Sequence, residues 1–135
     1  MRENIPDNRR KYMRIASKHV LRCQRLPLSK GDLTAQLTSV TKNISLGGIL
    51  FESPVAYDVG DLLKIDLHLP GWAQYMPDVH VSDAGSGVDI YIAAAVVIRV
   101  ELVADRLYDV GVCFSEMDRR ERWALMKYLY EKELP

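Results

Sequence analysis

Only two cysteines, Cys23 and Cys113, occur in 135 residues. That is too few for a disulfide scaffold, and no C-x-x-C spacing marks a zinc or redox site, so both read as reduced and structural. Histidine is also scarce. His19, His68 and His80 are scattered, no His/Cys spacing fits a metal centre, and no metal or cofactor is expected. Asp66-x-His68 and Asp78-x-His80 read as solvated faces of a strand and a loop. The longest apolar run, Ile90 to Ile98, falls far short of a membrane span. Met1 to Arg14 is almost wholly polar, so no leading signal segment is expected and the location predicted is cytoplasmic. There is no G-x-S-x-G elbow and no phosphate-loop lysine, and Gly85-Ser86-Gly87 reads as a flexible turn with no helix after it. No catalytic residue is nominated, and an enzyme is the least favoured class.

Net charge is lacking too, but the zero total hides an asymmetry. Residues 1–30 hold nine Lys/Arg against Glu3 and Asp7, a balance of +7 that the remaining 105 residues offset. A basic arm on an acidic body points to an anionic ligand met by the N-terminal segment; a solvated basic tail is the plainer alternative. Hydrophobic residues at 48% and charged residues at 27% place the chain among soluble globular proteins, and the length suits one domain, 1–135.

The body reads as β. His19 to Arg25 is a short strand candidate, followed by a turn-rich connection from Leu26 to Asp32. Leu33, Ala35 and Leu37 then alternate with Thr34, Gln36 and Thr38, and the phase slips near Ser39-Val40, as at a β-bulge. Gly48 to Phe51 resumes a strand that Pro54 ends. Leu63, Ile65, Leu67 and Leu69 alternate with polar residues, the pattern of a strand wet on one face. Pro70 to Gly87 reads as a loop or insertion, in which Trp72, Tyr75 and Met76 pack over the barrel end or form a partner patch. Val88, Ile90, Ile92, Ala94, Val96, Ile98, Val100 and Leu102 make an unbroken period-two apolar row, the strongest strand in the chain. Tyr108, Val110, Val112 and Phe114 make the last. Asp118 with Glu121 is a capping-box start for a helix whose stripe is Trp123, Leu125, Met126, Leu129 and Tyr130. The fold class predicted is mainly β, a small six-stranded antiparallel barrel over 17–116, with a C-terminal α-helix over 117–135 and a flexible basic N-terminal arm over 1–16.

Two clusters carry chemistry. Arg9-Arg10-Lys11-Tyr12-Met13-Arg14 contains R-x-x-x-R at Arg10 and Arg14. Asn43-Ile44-Ser45-Leu46-Gly47-Gly48 fits [D/N]-x-S-x-x-G between two strands. R-x-x-x-R is weak alone, and the Asn-Ser-Gly pattern arises by chance in roughly one chain of this length in twenty; together, in this order and ahead of a β-rich body with a terminal helix, they are much more specific. Guanidinium is a rigid fork that matches phosphate oxygens and the O6/N7 edge of guanine, and its flat face stacks on purines. Asn43 can both donate and accept, Ser45 adds a hydroxyl, and Gly48 lets the backbone approach a ligand or take positive φ. The plainer alternatives are a solvated tail for the arginines, an Asx-type turn for Asn43 and Ser45, and relief of a bulge by Gly48.

From about Asn8 to the helix the sequence resembles the PilZ domains, whose signature is this arginine pair and this [D/N]-x-S-x-x-G. The resemblance extends to the strand ending in Arg99 and to Tyr108-Asp109-Val110-Gly111-Val112-Cys113-Phe114. It implies a six-stranded barrel that binds cyclic di-GMP, with Arg10 and Arg14 on phosphate and guanine and with Asn43, Ser45 and Gly48 as the barrel side. Arg9, next to the pair, would favour two ligand molecules as a stacked pair. The activity implied is that of a cyclic di-GMP receptor. Its arm rearranges to signal to an unidentified downstream protein partner, with no DNA or RNA partner. The rivals are a PilZ-fold adaptor that binds protein and no nucleotide, and a small barrel binding single-stranded nucleic acid. Intact arginines argue against the first. The absence of repeated exposed aromatics on the strands argues against the second.

Overall fold

Alternating side chains become six antiparallel strands in the computed structural model, which describes residues 14–26, 36–76 and 89–133. These are β1 (Val20–Leu26), β2 (Leu37–Ile44), β3 (Gly48–Ser53), β4 (Leu62–His68), β5 (Ile90–Ala104) and β6 (Leu107–Phe114). They close in the order β1-β2-β3-β6-β5-β4, with β1 also pairing β4, so every strand has two neighbours. Closure satisfies main-chain groups that an open sheet would leave at its edges. The expectations for Arg9, Arg10, the 27–35 connection and 77–88 lie outside the described residues.

β4 follows its sequence pattern, with Leu63, Ile65 and Leu67 buried and Lys64 and Asp66 on the outer side. β5 corrects the expectation drawn from its even-numbered row. Tyr91, Ala93, Ala95 and Val97 face the core, while Ile92 and Ile98 are 55% and 58% exposed. Volume across the β4–β5 pair decides the face. Leu63 sits opposite Ala95, and Ile65 opposite Ala93, so small side chains complement large ones inside a narrow barrel. The strand does not end at Arg99. Its register against β6 shifts between Val97 and Arg99, which brings Val100 opposite the buried Val110, and it runs on to Ala104.

A helix, α1 (Arg119–Tyr128), starts where Asp118 accepts a hydrogen bond from the Arg120 N–H at 2.8 Å. Its buried face is Ala124, Leu125 and Tyr128, continued by Leu129. The predicted stripe is thus corrected at both ends. Trp123 is 49% exposed, with the Lys127 ammonium 5.7 Å from its ring centre, and Tyr130 is 52% exposed. With the buried face centred on Ala124, Leu125 and Tyr128, Tyr130 falls on the opposite side of the helix, and a π-helical turn over Leu129–Glu133 follows. Before β5, a 3₁₀ turn over Trp72–Tyr75 packs against α1. Trp72 is buried edge-on to Tyr91 at 4.9 Å, and Tyr75 stands 6.4 Å from Tyr128, so this part of the Pro70–Gly87 segment packs on the core. Cys23 is a buried core residue. Cys113 is exposed, which corrects its structural reading: Val112 takes the inward direction on β6, so its neighbour points out. Among the described residues no helix is long and apolar enough to cross a membrane, and no cluster of His, Cys, Asp or Glu could hold a metal ion.

Candidate ligand site

The chain ahead of β1 runs beside β2 and is held there. Ile15 and Ile44 form an antiparallel bridge, each N–H donating to the other's carbonyl, at 2.9 and 3.0 Å. Ile15 is buried, 7% exposed, and anchors the segment in the core. Buried Thr41 stitches the same stretch: its hydroxyl donates to the Ser17 carbonyl at 2.6 Å and accepts from the His19 N–H at 2.9 Å. The bridge makes Arg14 a neighbour of Ser45 and Ala16 a neighbour of Asn43 on the two facing chains. Arg14, one half of the arginine pair, is therefore exposed alongside the Asn-Ser motif.

Ser45 shapes the β2–β3 turn. Its N–H donates to the Gly48 carbonyl at 2.9 Å, and its hydroxyl oxygen accepts from the N–H groups of Gly47 at 3.0 Å and Gly48 at 3.3 Å. With the oxygen engaged, the hydroxyl proton remains to donate outward. Gly48 has a different reason for being glycine than the one expected. It is not among the residues with positive φ; instead a Cβ there would meet the Val112 carbonyl oxygen of β6 at 1.9 Å. Glycine lets β3 close on β6 beside the site.

Asn43 reaches the surface through a register shift. Thr41 pairs with Phe51 and Asn43 with Leu50, leaving Lys42 as an extra residue between them. The bulge thus lies at Lys42, not at Ser39-Val40. Thr41 and Ile44 are both buried although three residues apart, which strict alternation forbids. The insertion reverses the phase and turns Asn43 outward, half-buried beside Ser45. Lys42 is itself fixed. Its ammonium donates to both carboxylate oxygens of Asp109, at 2.9 and 3.1 Å, and lies 3.3 Å from Glu52. The two hydrogen-bonded carboxylates raise the Lys42 pKa and so keep it charged.

The structure thus brings together Arg14, Asn43, Ser45 and Gly48, while Arg9 and Arg10 lie outside the described residues. Sequence reasoning missed Ile15, Thr41, Lys42 and Asp109. A faint signal existed in Thr41-Lys42-Asn43-Ile44, where no alternating assignment can bury both Thr41 and Ile44.

The family model described as PilZ domain matches residues 8–131. No curated protein matches. Among solved structures the chain is similar to the Bacillus subtilis inhibitor of motility MotI/DgrA, with a TM-score of 0.63 at 19% identity, covering 92% of this chain and 50% of that one. It is also similar to the PilZ domain of YcgR from Escherichia coli with c-di-GMP, with a TM-score of 0.61 at 14% identity, covering 90% and 89%. The K. pneumonia MrkH–c-di-GMP complex gives a TM-score of 0.62 at 15% identity, covering 90% and 50%. The chain spans about half the length of MotI and of MrkH.

Proposed function

Since the chain belongs to the PilZ domain family, we propose that it is a cyclic di-GMP receptor domain, with Arg9, Arg10, Arg14, Asn43, Ser45 and Gly48 as its ligand site. The observation that carries this reading is the Ile15–Ile44 bridge, which sets Arg14 next to the Asn43–Ser45 turn. Two structures of similar fold hold that ligand, the YcgR domain and MrkH. The ligand presents two phosphates and two guanines. Arg10 and Arg14 take a phosphate and the O6/N7 edge of a guanine through their forked donors. Asn43 pairs with the mixed donor and acceptor edge of the same base, and the Ser45 hydroxyl donates to it or to the phosphate. Gly48 keeps the turn tight against β6. No bond is made or broken, so the output is a surface rather than a product.

Ligand phosphates draw Arg9 and Arg10 in beside Arg14, which the Ile15–Ile44 bridge holds at β2, and the rearranged arm is what a downstream protein partner reads. The third guanidinium, Arg9, favours two stacked ligand molecules per chain. Titration calorimetry with cyclic di-GMP tests this, with a linear dinucleotide and an oligonucleotide as controls. Arg10→Ala or Arg14→Ala is expected to weaken binding by roughly thirtyfold or more, from about 2–5 kcal/mol for truncating a charged, desolvated contact. Asn43→Ala weakens it less. An arginine variant that binds like the unmutated chain overturns the site assignment, and a ratio of one ligand per chain overturns the stacked pair.

A further inference from the structure

We infer that the Lys42–Asp109–Glu52 ion cluster is a positioning device for the ligand site, locking the bulge that turns Asn43 outward. The inference rests on the cyclic di-GMP reading for its ligand and on the β2–β3 register shift for its geometry.

A bulged residue is left out of the strand ladder, so the ladder alone does not fix it. Lys42 is such a residue, and its side chain crosses β3 to reach β6. Glu52 and Asp109 are directly opposite in the β3–β6 register, a like-charge pair that repels unless a cation stands between them. Lys42 is that cation, within 3.3 Å of both carboxylates. Asp109 is only 8% exposed, so its charge is little screened by solvent and needs a partner. Removing Lys42 takes away the tie that selects this bulge over the regular pairing, in which residue 43 would turn inward. Asn43 and Leu50 form the first ladder pair beyond the bulge and feel its loss first. Lys42 and Asp109 act through Asn43, not on the ligand directly.

The sign of one substitution separates this from a simple field effect. Asp109→Asn removes a negative charge close to an anionic ligand, so charge alone tightens binding, whereas loss of the lock weakens it. Calorimetry with cyclic di-GMP is run on the unmutated chain, Lys42→Met, Lys42→Arg and Asp109→Asn, with Lys42→Met and Asp109→Asn repeated in an Asn43→Ala background. Lys42→Met and Asp109→Asn are each expected to weaken binding about fivefold when Asn43 is present and by less than about twofold when it is absent, as for coupled residues in one network. Lys42→Arg keeps binding within about twofold of the unmutated chain. Tighter binding by Asp109→Asn, or equal weakening by Lys42→Met in both backgrounds, overturns the inference. A second readout needs no ligand. Amide hydrogen exchange at Asn43 and Leu50 should rise about tenfold in Lys42→Met, with β4 amides unchanged. Asp109→Asn, which weakens the tie from the other end, reads the same bulge if Lys42→Met does not fold. Unchanged exchange overturns the lock. Faster exchange in a chain that binds no cyclic di-GMP keeps the lock and overturns the ligand reading instead.

Discussion

A methyl group on residue 48 would lie 1.9 Å from the Val112 carbonyl oxygen, and backbone on backbone has little room to give. Gly48→Ala is expected to destabilise the chain by about 2–3 kcal/mol, the upper range for overpacking, read as a lower urea midpoint. A midpoint equal to that of the unmutated chain would mean that the β3–β6 contact is looser than described. Cys23 and Tyr57 make a second prediction. The Cys23 Sγ and Tyr57 Oη are 3.4 Å apart, and burial is the main cause pushing both groups above their ordinary values of 9.0 and 10.0. In the folded chain each keeps its proton at a pH where the unfolded chain has released it. The unfolded state then binds fewer protons, so stability falls as pH climbs from about 9. Tyr57→Phe with Cys23→Ser should flatten that fall, followed by urea unfolding across alkaline pH. A stability for the native sequence that holds level from about pH 8.5 to 10.5 would contradict the account.

Each element was legible where one face alone was apolar. In β4, Leu63, Ile65 and Leu67 alternate with Lys64, Asp66 and His68, and the structure keeps that division. In β5 both faces are apolar, and the outer row holds three isoleucines and a valine while the inner row holds two alanines with Tyr91 and Val97. The inner face was settled by alanines fitting opposite Leu63 and Ile65, a pairing between strands far apart in sequence. The helix failed similarly, since Trp123 and Tyr130 count as apolar in projection but half of each remains in water. Leu125→Ala should therefore cost about 2–5 kcal/mol in unfolding free energy, and Trp123→Ala under about 1 kcal/mol. Equal costs would return the stripe to its projected orientation. Of the candidate site, the motifs marked Arg14, Asn43, Ser45 and Gly48, which the fold brings together. Lys42 was not legible, because its partner Asp109 lies 67 residues away and neither residue stands out alone.

At the scale of the whole molecule, a closed ring of strands belongs to a chain whose first 30 residues are strongly basic and whose net charge is zero. Trypsin should cut after Arg9, Arg10 or Arg14 more slowly at saturating cyclic di-GMP, with barrel sites from Val20 onward little changed. Added salt should weaken binding and protection together, since the Debye length shrinks from about 10 Å at 0.1 M to about 3 Å at 1 M. Equal cutting with and without bound ligand would remove the arm from the mechanism while leaving binding intact. The attachment at Ile15 also has a mechanical side. Among the described residues, tension applied ahead of Arg14 meets the Ile15–Ile44 bridge first, and an antiparallel bridge pulled from its end unzips bond by bond. Behind it lie the Thr41 stitches, and only then the barrel, whose strands share any load around a ring. Releasing the bridge means losing two main-chain hydrogen bonds, at about 1 kcal/mol each, and exposing one isoleucine, at about 1.5–3 kcal/mol. The barrel is therefore a stiff anchor with a soft coupling in front of it, a fuse that parts under modest pull and can re-form because its socket stays folded.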